Sequence, residues 1–171
     1  RSLSACFSML RQIRSVKGSL PRPILIMVVT SLVLSRLDYC LSVLSGITKH
    51  QVKRLQSVIN ASVRMILGSS RFSSISPQLR SLEFLPVSAR IDYRLAIILH
   101  NCLQGKAPSY LSSEFQKLSS LHTRSRLRSA TSSQVLQPRC RHPTLGGRSI
   151  PYRAAKVWTA LPVCLPEIVD S

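Results

Sequence analysis

The chain has 171 residues, 44% of them hydrophobic, with 24 Lys and Arg against 6 Asp and Glu, a formal charge of +18. That apolar fraction supports one ordinary domain, or a helical domain with an appendage, and excludes wholesale disorder. A charge of this size opposes compaction by self-repulsion and predicts a polyanionic partner: nucleic acid first, an anionic membrane surface second, with ribosomal association giving the same signal.

In chain order, residues 3–17 are predicted as a first helix with Leu3, Phe7, Leu10 and Ile13 on one side, ended by Gly18 and Pro21. A second helix is expected from Pro21 to about Leu44. Its apolar residues, Ile24 through Leu44, cover most of the circumference, which predicts a central position. Thr48 can cap a third helix over 49–67, whose Val52, Leu55, Val58, Ile59, Val63, Ile66 and Leu67 recur at helical spacing, and Gly68 ends it. Lys49, Lys53, Gln56, Asn60 and Arg64 form the opposing stripe, with Arg54 beside it. A Ser-rich loop over 69–76 leads to a short helical turn through Leu82. Pro86 opens a fourth long helix facing inward with Val87, Ile91, Leu95, Ile98, Leu99 and Cys102. Pro108 opens another with Leu111, Phe115 and Leu118. Residues 119–150 are rich in Ser, Thr and Arg, with Gln134–Gln137 their only strand-like piece. A short helix over about 151–161 then places Ala154, Trp158 and Leu161 on one face. The expected class is mainly α: a helical bundle over 1–118, an irregular basic linker or short strands over 119–150, and a C-terminal helix and tail over 151–171.

The charge is unevenly spread. Residues 1–68 hold ten basic side chains and one acid, Asp38, and residues 119–150 hold six arginines and no acid. Soluble helices normally intersperse acids among their lysines. The acid-free stripe of Lys49, Lys53, Arg54 and Arg64 therefore reads as a phosphate-contacting surface, with an ordinary solvated face as the alternative. Arg124, Arg126 and Arg128 alternate as a strand presenting three guanidinium groups would, or belong to a basic linker. The cysteines at 6, 40, 102, 140 and 164 show no paired spacing, which predicts scattered reduced thiols in an intracellular protein and no metal site. The apolar run Ile24–Leu34 is shorter than the about 20 residues a bilayer span needs, so no membrane role is expected. A first residue of Arg rather than Met is expected of a fragment or processed product, and the acid-poor start superficially resembles a transit peptide.

Two-metal nucleotidyl transfer needs carboxylates held together. The six acids here stand apart at 38, 83, 92, 114, 167 and 170, and no nucleotide-loop, nucleophile-elbow or zinc-protease motif occurs. No catalytic residue is assigned, and the isolated chain is not expected to be an enzyme. Asp38 reads as a structural carboxylate pairing with Arg11, Arg14, Arg36 or Arg64, since a lone carboxylate is a poor magnesium site. Trp158 and Tyr152 have ring faces on which bases can stack, but Trp158 at helical spacing with Ala154 and Leu161 reads as core.

Several short stretches, in order, resemble one family. They are Leu10–Arg14, Ser35-Arg36-Leu37-Asp38-Tyr39-Cys40, Arg54-Leu55-Gln56, Asn60-Ala61 with Arg64, Leu79–Leu82, Leu85-Pro86-Val87 and Arg90–Tyr93. Ala107–Leu111, Arg126–Ser129, Gly147-Arg148-Ser149 and Val157-Trp158-Thr159-Ala160-Leu161-Pro162 complete the series. Together they resemble the end of the reverse transcriptase of a non-LTR (LINE-type, jockey-like) retrotransposon, with departures at Leu41, Ile59 and Ala155. The resemblance implies a helical thumb and downstream C-terminal region, with Arg36, Asp38, Tyr39 and Trp158 in structural roles. The palm and its catalytic aspartates would precede this segment in an RNA-directed DNA polymerase. It further implies no cofactor in this segment, magnesium in the parent polymerase, and two partners: primer–template or template RNA gripped through its phosphates, and the missing palm. Nuclear and cytoplasmic location follows from the same resemblance. The alternatives are an orphan helical structural or interaction protein from a decayed element, and a basic organellar or ribosomal protein. Apolar surface left by a missing palm would make the isolated chain poorly soluble.

Overall fold

The computed structural model of the protein describes residues 2–39, 41–116, 135–140 and 146–161. The fold is mainly α, as its hydrophobic periodicity predicts, with no sheet among the described residues. The helices are α1 (Ser2–Val16), α2 (Arg22–Val29), α3 (Ser35–Asp38), α4 (Lys49–Leu67), α5 (Ile75–Ser81), α6 (Val87–Leu103), α7 (Ser109–Ser112) and α8 (Ile150–Ala160). The chain divides into two compact units, Arg1–Arg90 and Ile91–Ser171, with the division falling within α6. The expected junction at 118/119 lies outside the described residues.

In the first unit, α1 packs against α4 and α3, and α4 also packs against α2 and α5. Its core is built from Cys6, Leu10 and Ile13 of α1 and from Val58, Ile59, Val63 and Ile66 of α4. Leu25, Val29, Val33, Leu34, Leu37 and Leu41 join them from the segment between. Cys6 takes the buried position expected of Phe7, which is half-buried. Ser62 is also fully buried; its hydroxyl donates to the Val58 carbonyl at 2.9 Å, so no polar atom of that side chain is stranded.

The helix expected from Pro21 to Leu44 is interrupted. After α2 the backbone widens into a π turn, Thr30–Leu34, in which Ser35 N–H donates to Thr30 C=O. The hydroxyls of Ser31 and Ser35 donate back to the carbonyls of Val28 and Ser31, competing with the helical ladder. Val33 and Leu34, both within the turn, are buried in the core. Helix ends at Asp38, because Tyr39 adopts an extended conformation, and a 3₁₀ turn follows over Val43–Gly46. The predicted central position is also only partly met: Ile24, Met27 and Leu32 face solvent.

In the second unit, Ile91, Leu95, Leu99 and Cys102 line the buried face of α6, and Phe115 and Val135 are buried as well. The helix expected from Pro108 ends after one turn. Ser112 and Ser113 donate to the carbonyls of Ala107 and Tyr110, and the backbone tightens into three-residue bonds at Glu114 and Phe115. Among the described residues of the expected strand, Leu136 N–H donates to Gln116 C=O at 2.8 Å. Ala154, Ala155 and Trp158 form the buried face of α8, placing Trp158 in the core as its spacing predicts.

Candidate nucleic-acid interface

The first unit contains a basic cleft between α1, the C-terminal half of α4 and the loop that follows. α1 supplies Arg11 and Arg14 at a spacing of three on one face beside Phe7, and the 3₁₀ turn that follows it, Lys17–Ser19, supplies Lys17. α4 supplies Ala61, Arg64 and Met65, and the loop supplies Gly68, Ser69, Ser70 and Arg71. The cleft volume is about 1080 Å³. Five cations line it with no carboxylate among the described residues, so their fields add.

The end of α4 fixes the floor. Gly68 sits in the left-handed region at φ +66, and its N–H and that of Ser69 both donate to Arg64 C=O. A Cβ at Gly68 would lie 3.6 Å from Lys17 Nζ, so the left-handed cap and the end of α1 meet here. Arg64 is half-buried, and its Nε is buried with no hydrogen-bond partner among the described residues. A buried donor left unsatisfied costs about 1–3 kcal/mol.

The other sequence-predicted cations lie elsewhere. Lys49, Lys53 and Arg54 are exposed on the first half of α4. Arg64 stands about 15 Å further along the axis than Arg54 and about 22 Å further than Lys49, at 1.5 Å per residue. Between them, Gln56 and Asn60 are occupied internally: Gln56 Oε1 accepts from Val87 N–H at 2.8 Å, and its Nε2 donates to Asn60 Oδ1 at 2.9 Å. The predicted stripe is therefore two separate basic regions rather than one. Arg124, Arg126 and Arg128 lie outside the described residues. Sequence reasoning missed Arg11, Arg14, Lys17 and Arg71 as members of the site. The signal available was the acid-free run of basic residues in α1, read there only as composition.

Asp38 accepts at both carboxylate oxygens from Nη1 of Arg90, at 2.8 and 2.7 Å, while Arg90 Nε donates to Leu85 C=O. This partner lies outside the set considered from sequence, Arg11, Arg14, Arg36 or Arg64. Arg36 and Tyr39 are exposed, Tyr39 at 79%. Burial raises the Cys6 thiol above its ordinary pKa, with the nearby Arg36 charge partly opposing. Burial likewise raises Cys102, opposed by a hydrogen bond from Ser112. Among the described residues no His, Cys, Asp and Glu cluster could hold a metal, and no helix is long and apolar enough to cross a membrane. No family model, curated protein or solved structure matches the chain.

Proposed function

We propose that this chain is a non-catalytic nucleic-acid-gripping segment, the thumb and downstream part of a retrotransposon reverse transcriptase. The observation that carries the binding role is the cleft: five cations from α1, the turn after it, α4 and a loop, with no acid among the described residues that line it. Phosphates match this chemistry, because guanidinium groups satisfy anionic oxygens directionally while Lys17 adds a point charge. Such contacts hold a strand without reading its sequence. Lys49, Lys53 and Arg54 supply contacts further along α4, and the polymerase identity rests on the ordered resemblance described above. The palm of the same polyprotein and an intracellular location belong to this reading.

Titrating a labelled oligonucleotide by fluorescence anisotropy at low and physiological salt tests it. Affinity is expected to fall steeply with salt, and Arg64→Gln and Arg11→Gln to weaken binding to all sequences alike. Affinity independent of salt would sink the phosphate reading. A contiguous upstream reading frame carrying the palm's paired aspartates is expected for the polymerase identity, and a start codon immediately before residue 1 would remove it.

A further inference from the structure

Beside the cleft, the loop after α4 presents an aromatic ring that the fold does not use. Phe72 is 85% exposed, so the phenyl group contributes little to the core. Its neighbour Arg71 is one of the cleft cations, and the Arg71 guanidinium carbon lies 4.9 Å from the ring centroid, over one face. At that exposure the other face is open. The loop is held in shape: Ser73 N–H donates to Ser70 C=O, Phe72 N–H donates to the Ser70 hydroxyl, and the Ser69 hydroxyl donates to Gln78 Oε1 at 2.8 Å. A turn fixed in this way presents cation and ring together at low ordering cost, the preorganisation that favours binding.

We infer that Phe72 is a stacking platform for an unpaired nucleobase, and that the preferred ligand of the cleft is therefore single-stranded nucleic acid rather than blunt duplex. This rests on the phosphate reading of the cleft. A nucleobase offers a π face to any exposed ring regardless of sequence, whereas in a duplex interior both faces of each base are already stacked. Arg71 serves both halves of the ligand, backing the ring on one side and offering a charge to the adjoining phosphate. The pairing of an aromatic platform with an electropositive groove is the general chemistry of single-strand binding.

The test uses the full chain with one short sequence presented as single-stranded RNA, single-stranded DNA and blunt DNA duplex. The parent is compared with Phe72→Ala and Phe72→Trp, and circular dichroism confirms that each is folded. Phe72→Ala is expected to weaken both single strands about tenfold, within the range for loss of one stacked base, and to leave duplex affinity unchanged. Phe72→Trp is expected to retain affinity and to show strand-dependent fluorescence quenching beyond that of the parent, whose Trp158 is buried. If Phe72→Ala binds single strands like the parent, with salt dependence intact, the stacking inference fails and the phosphate cleft stands. If no form of nucleic acid binds in a salt-dependent way, both fail. A loss confined to RNA or to DNA supports the platform and identifies which strand it serves.

Discussion

Asp38 and Arg90 are each mostly withdrawn from water, with 16% of the Arg90 side chain and 20% of the Asp38 side chain exposed. The pair lies between the exposed case, worth about 0–1 kcal/mol, and the buried case, where losing one partner costs about 3–5 kcal/mol. Asp38→Asn is expected to destabilise the protein by about 2 kcal/mol in urea denaturation, by the same comparison. Combining it with Arg90→Met should cost less than the two single changes summed, because the double variant leaves no half-buried charge behind. The importance of Asp38 was legible, since it is the only acid before residue 83. Its partner was not, because it lies 52 residues away in sequence and contacts of that kind carry no local signature. The Cys6 thiol gives a pH prediction. Its folded pKa is raised, so the native state holds the proton after an unfolded thiol has released it. Its contribution is complete below the unfolded value, about 8.5, and is lost as pH rises from there through the folded value. Melting temperature should therefore fall more steeply above that pH in the parent than in Cys6→Ala, with Cys102 contributing part of the residual slope. Equal slopes would refute the assignment.

Among the elements, α4 was the most legible. Its apolar positions recur at helical spacing, and both of its ends carry chemistry that sequence can declare. Thr48 accepts from Gln51 N–H while Gln51 Oε1 accepts from Thr48 N–H, a reciprocal capping box, and Gly68 provides the left-handed stop. Thr48→Ala is expected to cost about 1 kcal/mol, and Thr48→Ser or Thr48→Asp much less, in thermal melts. An Ala variant as stable as the parent would show that tertiary packing alone sets this boundary. The segment 21–44 was less legible for a definite reason. Apolar residues all round its circumference hide any phase shift, so the π turn at Thr30–Leu34 leaves no mark in the pattern. The serines that accompany it are ordinary helix-surface residues until their back-bonding is seen. α7 failed in the same way: Ser112 and Ser113 terminate it through side-chain bonds that periodicity does not register. The solvent-facing Ile24, Met27 and Leu32 are the residue of the same ambiguity, since an all-apolar helix predicts burial without saying what does the burying.

For the whole molecule, the charge of +18 was legible at once, whereas its concentration into a cleft was not. The cleft needs α1 laid against α4, and that pairing joins residues about 50 positions apart through an apolar seam that sequence leaves unassigned. The distinction between diffuse and focused charge is measurable. A strand gripped by the five cleft cations displaces counterions at those phosphates, predicting a slope of log affinity against log salt of about −3.5, at about 0.7 per phosphate for single strands. Contact through the full charge would give about −13 by the same rule. Arg64→Gln should then reduce the slope by about 0.7, whereas an exposed substitution such as Arg80→Gln should leave it unchanged. Stability should respond in the opposite sense. Without nucleic acid, moderate salt screens the self-repulsion of the chain and is expected to raise its melting temperature. With a saturating oligonucleotide, the melting temperature should be highest at low salt and approach that of the free protein as salt increases, because ligand stabilisation follows affinity by mass action. Curves that rise together with salt would mean that the oligonucleotide does not neutralise the charge that opposes folding. Curves that converge from opposite directions place binding and self-repulsion on the same basic surface.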